Sequence, residues 1–394
     1  MTPSYFQIFL RSQIHSGAGT CSLLPQFVRG TGGKRVVLFT DKGLNQAGIT
    51  EKVKKILEMT SEPVQLVGIF DEIEQDAKAE NVNHAAQFFR NHQADSLIAL
   101  GGGSVLDTVK GVKWLLHLGK KDIREALRPV EQIKWPKAQP IPIPHIAIPT
   151  TAGTGSEISL IAVIFHEKFR QKANLMHPYI AADIAILDPE LTTSLPPKMT
   201  AATGMDALTH AVEAFFSPTA HPYTDAFAIQ SIQLILEHLP VAVKDGNNLK
   251  AREKMLIASS MAITAFCFSL SAIPVHNLAH ALGARFQIPH RLANAVLLPS
   301  VMKALPSFYQ TRIKSFSRII GIHSDSLLAV TRFLRDFRNT VGLPDTFTDW
   351  HFTPGLEQEI VSLVQRDPAG LNYQIPDETI LKIVREVFDR PINS

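Results

Sequence analysis

Four short apolar runs in the first half of the chain constrain its fold most: RVVLFT (35–40), VQLVGIF (64–70), SLIAL (96–100) and HIAIPT (145–150). A strand with one wet face alternates apolar and polar residues. These runs do not alternate, so both of their faces are expected to be buried. Between them, EKVKKILEM (51–59) and VNHAAQFFRNH (82–92) have helical spacing, the second with Ala85, Phe88 and Phe89 on its apolar side. Doubly buried strands alternating with helices predict a mostly parallel sheet covered by helices, with ligands at the carboxyl ends of the strands.

From about Asp188 onward the rhythm changes. MTAATGMDALTHAVEAFF, YTDAFAIQSIQLILEHL, AREKMLIASSMAITAFCFSL and SLLAVTRFLRDFRNTV all have helical spacing and no strand pattern. DPELTTSLPPK (188–198) has the Pro and Thr content of a linker. At 394 residues the chain is long for one core. The expected organisation is a Rossmann-like α/β domain over 1–190 and an all-helical domain over 191–394, with the site in a cleft between them.

Composition narrows the partners. The formal net charge is +3 and no Lys/Arg block is present, so nucleic acid is not an expected partner. Two cysteines, Cys21 and Cys267, exclude a disulfide scaffold. The N-terminal segment does not read as a signal peptide, because its basic residue follows the apolar run. Residues 255–284 carry no formal charge, but serines, Pro274, His276, Asn277 and His280 interrupt them; a buried central helix is expected, not a membrane span. A cytoplasmic location follows as the expectation.

Two loops carry the ligand signal. ALGGGSVLDTVKG (99–111) puts three glycines between a strand and a helix, where backbone and free N–H groups can approach a pyrophosphate. It matches neither G-x-G-x-x-G nor a P-loop, and a tight steric turn would give the same pattern. PTTAGTGSE (149–157) follows another strand and offers three hydroxyls to a ribose or nicotinamide. Asp41 ends the first strand. It is either a turn or N-cap residue, or an acceptor for ribose hydroxyls that would repel a 2′-phosphate.

Histidines carry the second signal. VHNLAHALGARFQIPHRLANA places His276, His280 and His290 in an apolar segment, as core residues, metal ligands or a proton relay. His276 and His280 are four apart, and the simple reading makes them a chelating pair. GMDALTHAVEAFF sets Asp206 and His210 at the same spacing. A carboxylate buried there needs a positive partner, which a divalent metal would supply.

GGGSVLDTVK, PTTAGTGSE, ILDPELT, GMDALTHAVE and VHNLAHALG…PHRLANAVLLP together resemble the iron-dependent (group III) alcohol dehydrogenases, over about residues 5–305. The resemblance implies a dehydroquinate synthase-like architecture and a homodimer. It implies one divalent metal, iron(II) first and zinc as the alternative, on Asp206, His210, His276 and His290. It makes His280 a neighbour of the metal and nicotinamide that serves catalysis, which replaces the simple chelating pair. It implies NAD in preference to NADP, with Asp41 at the ribose. Gly102, Gly103, Ser104 and Asp107 fall on the pyrophosphate loop, and Thr150, Thr151 and Thr154 on the second loop. Lys172 and Leu191 fall on further cofactor-contacting positions.

The implied reaction is reversible oxidation of a small alcohol to its aldehyde or ketone. Departures from the family pattern bear on the substrate: Arg291 stands where Gly is usual, Asp76-Ala77 replaces Asn-Pro, Ser300 replaces His, and no Asn-Pro-Arg motif is present near the C-terminus. Arg291 leaves a reductase of acidic carbonyl compounds, of maleylacetate or semialdehyde type, as a second reading. A lyase of the dehydroquinate synthase type is a third.

Overall fold

The computed structural model describes residues 5–59, 64–128, 130–133, 137–168, 171–353, 355–370 and 372–388; the outermost residues of both expected domains lie outside these. The chain forms two compact units. One comprises Phe9–Leu195 with Gly246–Ser260; the other comprises Met1–Ile8, Pro196–Asp245 and Met261–Ser394.

The first unit is built on a six-stranded, all-parallel sheet. Its strands are β1 (Gln13–Ser16), β2 (Arg35–Phe39), β3 (Gln65–Phe70), β4 (Ser96–Gly101), β6 (His145–Pro149) and β9 (Ile184–Leu187), in the order β1-β9-β6-β4-β2-β3. The central strands bury both faces, as their unbroken apolar runs predict; β3, for which the same was expected, is instead the edge strand, with Gln65 exposed and Leu66 to Ile69 half-buried. Val36 and Leu38 of β2, Ile98 and Leu100 of β4, and Ile146 and Ile148 of β6 enter one core with Val53 and Leu57 of α1 (Ile49–Glu58). The alternate residues Val37, Phe39, Leu97, Ala99 and Ala147 enter the other core. There they join Ala85 and Phe89 of α2 (Ala79–Asn91) and Val105 and Val109 of α3 (Gly103–His117). Strand order reverses between β2 and β4, so the ends of β2, β4 and β6 lie side by side at a topological switch point.

A second, three-stranded sheet was not expected. It contains β5 (Val130–Gln132), β7 (Ile161–His166) and β8 (Gln171–Met176), with β7 and β8 antiparallel. The 188–198 stretch also differs from the linker its composition predicts. Asp188 is buried, and its carboxylate accepts hydrogen bonds from the backbone N–H groups of Gly19 (3.2 Å), Cys21 (2.9 Å) and Glu190 (3.1 Å). Pro189, Leu191 and Thr192 of the following 3₁₀ turn are buried with it. Three donors on one carboxylate hold this segment as part of the core, where a linker would be solvated.

The second unit has no strand among the described residues. Its principal helices are α4 (Pro197–Phe216), α5 (Pro222–Lys244), the end of α6 (Leu249–Phe268), α7 (Pro274–Phe286) and α8 (His290–Ala304). The uncharged 255–284 stretch is not one central helix. Ile273 precedes Pro274, which disfavours helical backbone, and takes φ −133°, ψ 68°. α6 therefore ends before it, and Pro274 opens α7 at a position that needs no N–H. By length and composition alone α5 could cross a bilayer. Asp225 in its first turn instead takes both terminal guanidinium nitrogens of Arg312, at 2.7 and 3.0 Å.

Candidate functional site

α4 is buried at every position from Thr200 to Phe216. A helix with no wet face is ordinarily apolar all round. This one carries Asp206, His210 and Glu213, spaced so that they share a face. Each therefore needs a partner inside the protein.

Asp206 meets residues from the start of α7 and α8. One of its oxygens and one nitrogen each from His276 and His290 all lie within 4.8 Å of one another. Asp206 Oδ1 accepts from Asn294 Nδ2 at 2.7 Å. The same Nδ2 lies 3.2 Å from His276 Nε2 and 3.3 Å from His290 Nε2. Asp206 Oδ2 is buried with no hydrogen-bond partner among the described residues. An ionised carboxylate there, with one oxygen unsatisfied and two imidazole nitrogens beside it, is costly unless a cation is shared among them. Carboxylate and imidazole donors suit iron(II), zinc or their neighbours. These residues fit a divalent metal.

The other two predicted histidines stand apart from this set. His210 lies outside the three-residue group; its ring stacks on His276 at 4.7 Å between centroids and meets Phe266 edge-on at 4.9 Å. His280 is outside it too. Its ring stacks on His290 at 5.2 Å, and its Nδ1 is 3.2 Å from Asp367 Oδ1. That oxygen also accepts from Ala369 N at 2.8 Å. The turn carrying Asp367 packs closely on α7: a Cβ on Gly370 would fall 2.6 Å from Asn277 Nδ2.

Three residues not singled out in the sequence complete this set: Glu213, Asn294 and Asp367. Glu213 has a visible signal, a third ionisable group in an apolar helix at helical spacing from Asp206 and His210. Its Oε1 accepts from Val275 N at 2.7 Å, and its Oε2 is hydrogen-bonded to His276 Nδ1. Burial pushes its carboxyl up to about 8, against the pull of the Val275 N–H and of the nearby His210 ring. Asn294 sits one helical turn after His290, and Asp367 has no local signal. Arg291, the second residue of α8, is half-buried, and no hydrogen bond or ion pair involves it among the described residues.

In the first unit the two small-residue loops are brought into contact. Thr150 N donates to Gly101 O at 3.1 Å. Gly102 caps α3 with extended backbone, and a Cβ on Gly103 would fall 2.7 Å from Thr154 Cγ2. Glycine is needed at 103 for this approach and not for its φ. Ser104 Oγ accepts from Asp76 N at 3.1 Å. Asp76 and Ala77 have φ of 69° and 43°, so the proline usual at 77 in the resembling family could not adopt this backbone.

Asp107 joins the loops from within. Its Oδ1 accepts from Ser156 Oγ, and from Lys110 Nζ at 3.3 Å; its Oδ2 accepts from Val163 N at 3.2 Å. Lys110 Nζ also donates to Ser156 Oγ and Ile161 O at 2.8 and 2.7 Å. Asp41 is the N-cap of the short helix Lys42–Gln46, accepting from Leu44 N at 3.0 Å with Oδ1. Thr151 and Thr154 are half-buried. Lys172 on β8 pairs with Asp76 at 3.5 Å, and Leu191 is fully buried in the core.

Comparison with known proteins gives a consistent result. The profile described as iron-containing alcohol dehydrogenase matches residues 11–189, and the C-terminal profile of the Fe-containing alcohol dehydrogenase family matches 200–387. Long-chain-alcohol dehydrogenase 1 of Geobacillus thermodenitrificans is 36% identical over 338 residues, 84% of this chain and 83% of that protein. The NAD-dependent methanol dehydrogenase of Bacillus methanolicus is 31% identical over 362 residues, 89% and 90% of the two chains. The crystal structure of 1,3-propanediol oxidoreductase is 31% identical with a TM-score of 0.88, over 98% of this chain and 100% of that one. Five motifs, both family profiles and these relatives agree, and the chain belongs to the iron-containing alcohol dehydrogenase family.

Proposed function

We propose that Asp206, His276 and His290, with His210 as the fourth ligand, hold the divalent metal of an NAD-linked alcohol dehydrogenase. The observation that carries this reading is the convergence of the buried Asp206 and His276 with the half-buried His290, with Asp206 Oδ2 left unsatisfied. The reaction is the interconversion of a small alcohol with its aldehyde or ketone, as family membership indicates. Iron is the family's metal and NAD its cofactor. When bound, the metal supplies Lewis acidity toward an alcohol or carbonyl oxygen, and NAD supplies the two-electron redox chemistry.

The chain's own residues bind and orient. The backbone of Gly102, Gly103 and Ser104 at the start of α3 offers N–H groups to the pyrophosphate. Asp107, braced by Lys110 and Ser156, keeps this loop against the Thr150–Thr154 loop, whose hydroxyls serve the ribose and nicotinamide. Asp41 spends Oδ1 on its helix cap and keeps Oδ2 for adenosine ribose hydroxyls; its charge disfavours a 2′-phosphate. Lys172 bounds the cofactor's surroundings with a cation, whereas Leu191 is enclosed in the core and presents no surface to the cofactor. His280, held at Nδ1 by Asp367, has Nε2 available to hold or pass on the proton leaving the substrate hydroxyl. The exposed Ile14 on the edge strand β1, with Leu10 just before it, supports a homodimer.

The test is His276→Ala. Metal content after iron loading, measured by plasma mass spectrometry, and NAD-dependent oxidation of a primary alcohol are expected to vanish together. Full turnover by a metal-free variant would end this reading.

A further inference from the structure

We propose that Glu213 is a positioning residue that sets the tautomer of His276 and so directs His276 Nε2 to the metal. This inference rests on the metal centre described above. Glu213 is completely buried on α4, the helix that also carries Asp206 and His210. Its two oxygens face two donors. Oε1 takes the N–H of Val275, and Oε2 is bonded to His276 Nδ1.

A neutral imidazole has one N–H. In its ionised form, which a cation held by Asp206, His276 and His290 would favour, Glu213 can only accept, so it keeps the ring proton on Nδ1 and leaves Nε2 with a lone pair. Nε2 is the nitrogen that points into the group with Asp206 and His290, 3.2 Å from Asn294 Nδ2. The other tautomer would aim an N–H into that group and remove the ligand. Val275 N is one of the N–H groups that the first turn of α7 leaves without a helical acceptor. One carboxylate therefore caps α7 and orients the ligand one residue further on. Carboxylate partners of ligating histidines act in this way at metal sites generally.

Glu213→Gln separates the two roles. Glutamine has one acceptor oxygen for two donors. If it keeps the Val275 N–H, its NH₂ faces His276 Nδ1 and forces the ring proton onto Nε2. The cap survives and the ligand is lost. The full chain is stripped with a chelator and reloaded, as wild type, E213Q, E213D and H276A. Zinc affinity is read by chelator competition, the cobalt(II) absorption spectrum reports the ligand set, and thermal unfolding of the metal-free protein reports the fold.

E213Q is expected to bind zinc about 10- to 100-fold more weakly. Its cobalt(II) spectrum should move toward that of H276A, with the metal-free unfolding temperature near that of wild type. E213D, with its carboxylate set back by one carbon, should fall between wild type and E213Q, and it serves alone if E213Q does not fold. Wild-type zinc affinity and an unchanged cobalt(II) spectrum in either variant would overturn the role of Glu213 while the metal centre stands. A wild-type chain that takes up neither metal would refute the metal centre and this inference with it.

Discussion

Gly103→Ala tests the contact between the two small-residue loops proposed to bind the cofactor. Gly103 is the first residue of α3, and its φ is not positive. On backbone grounds alanine should therefore stabilise the chain by about 0.4–1 kcal/mol. The tertiary contact opposes this. The new methyl would stand 2.7 Å from Thr154 Cγ2, 3.0 Å from its Oγ1 and 3.3 Å from its Cβ. Ordinary carbon contacts lie at about 3.5–4.0 Å. Turning Thr154 about χ1 would give up the bond its Oγ1 accepts from Ser156 N at 3.3 Å, and it would not move Cβ. Overpacking of this kind costs about 1–3 kcal/mol. Steric cost wins, with a net loss of about 1–2 kcal/mol. If it falls on the cofactor site, the Kd for NADH rises about 5- to 30-fold. Fluorescence titration with NADH across wild type, G103A, T154A and the double variant measures this. T154A removes the two nearest atoms, so the double variant should recover, with a coupling energy of about 1 kcal/mol or more. NADH binding within twofold of wild type in G103A, with a raised unfolding temperature, would refute the reasoning.

Lys110→Met should lower the unfolding temperature by about 5–10 °C, from a loss of about 2–4 kcal/mol, because methionine keeps the length but leaves Asp107, Ser156 and Ile161 O without their cation. An unchanged melting curve would show that the lysine is dispensable to the loops. His177, buried against Trp114, has its pKa held down to about 4 by burial, with His117 and Lys113 adding to the effect. Above pH 6.5 the ring is neutral folded or unfolded. As pH falls from 6.5 toward 4 the unfolded chain takes up the proton first, so stability drops across that window. The drop should be shallower in His177→Gln; parallel melting-temperature profiles between pH 7 and 4.5 would exclude the assignment.

Much of the first unit was legible because its signals are short-range. β2, β3, β4 and β6 are apolar runs long enough to be unambiguous as strands, and the small residues that follow β4 and β6 mark loops, though a tight turn and a ligand-approach loop share that pattern. β7 and β8 were missed. IAVIFH and QKANLM mix residue types and belong to a small side sheet, so neither the doubly buried pattern nor a clean alternation marks them. The break between α6 and α7 was written in Ile273-Pro274, but the missing charges over 255–284 masked it. The Asp41 cap was one of two readings of a single residue, and local chemistry could not separate them.

At the proposed metal centre the sequence by itself determined which residue types are present and their spacing along each helix: Asp206 with His210, His276 with His280, and His290 beyond Pro289. Spacing made His276 and His280 look equivalent. Tertiary structure distinguishes them because only His276 converges with Asp206 and His290, although each ring has its Nδ1 on a carboxylate far away in the chain. Glu213, 63 residues before His276, takes its Nδ1, and Asp367, 87 residues after His280, takes the other. Asn294 reaches Asp206 across 88 residues. Periodicity and turn chemistry act over a few residues and leave their mark in a local pattern. A hydrogen bond between elements this distant depends on how helices pack, and packing is decided by the whole core. The sequence therefore named the donors of the site, while only the folded chain decided which nitrogen each histidine presents to it.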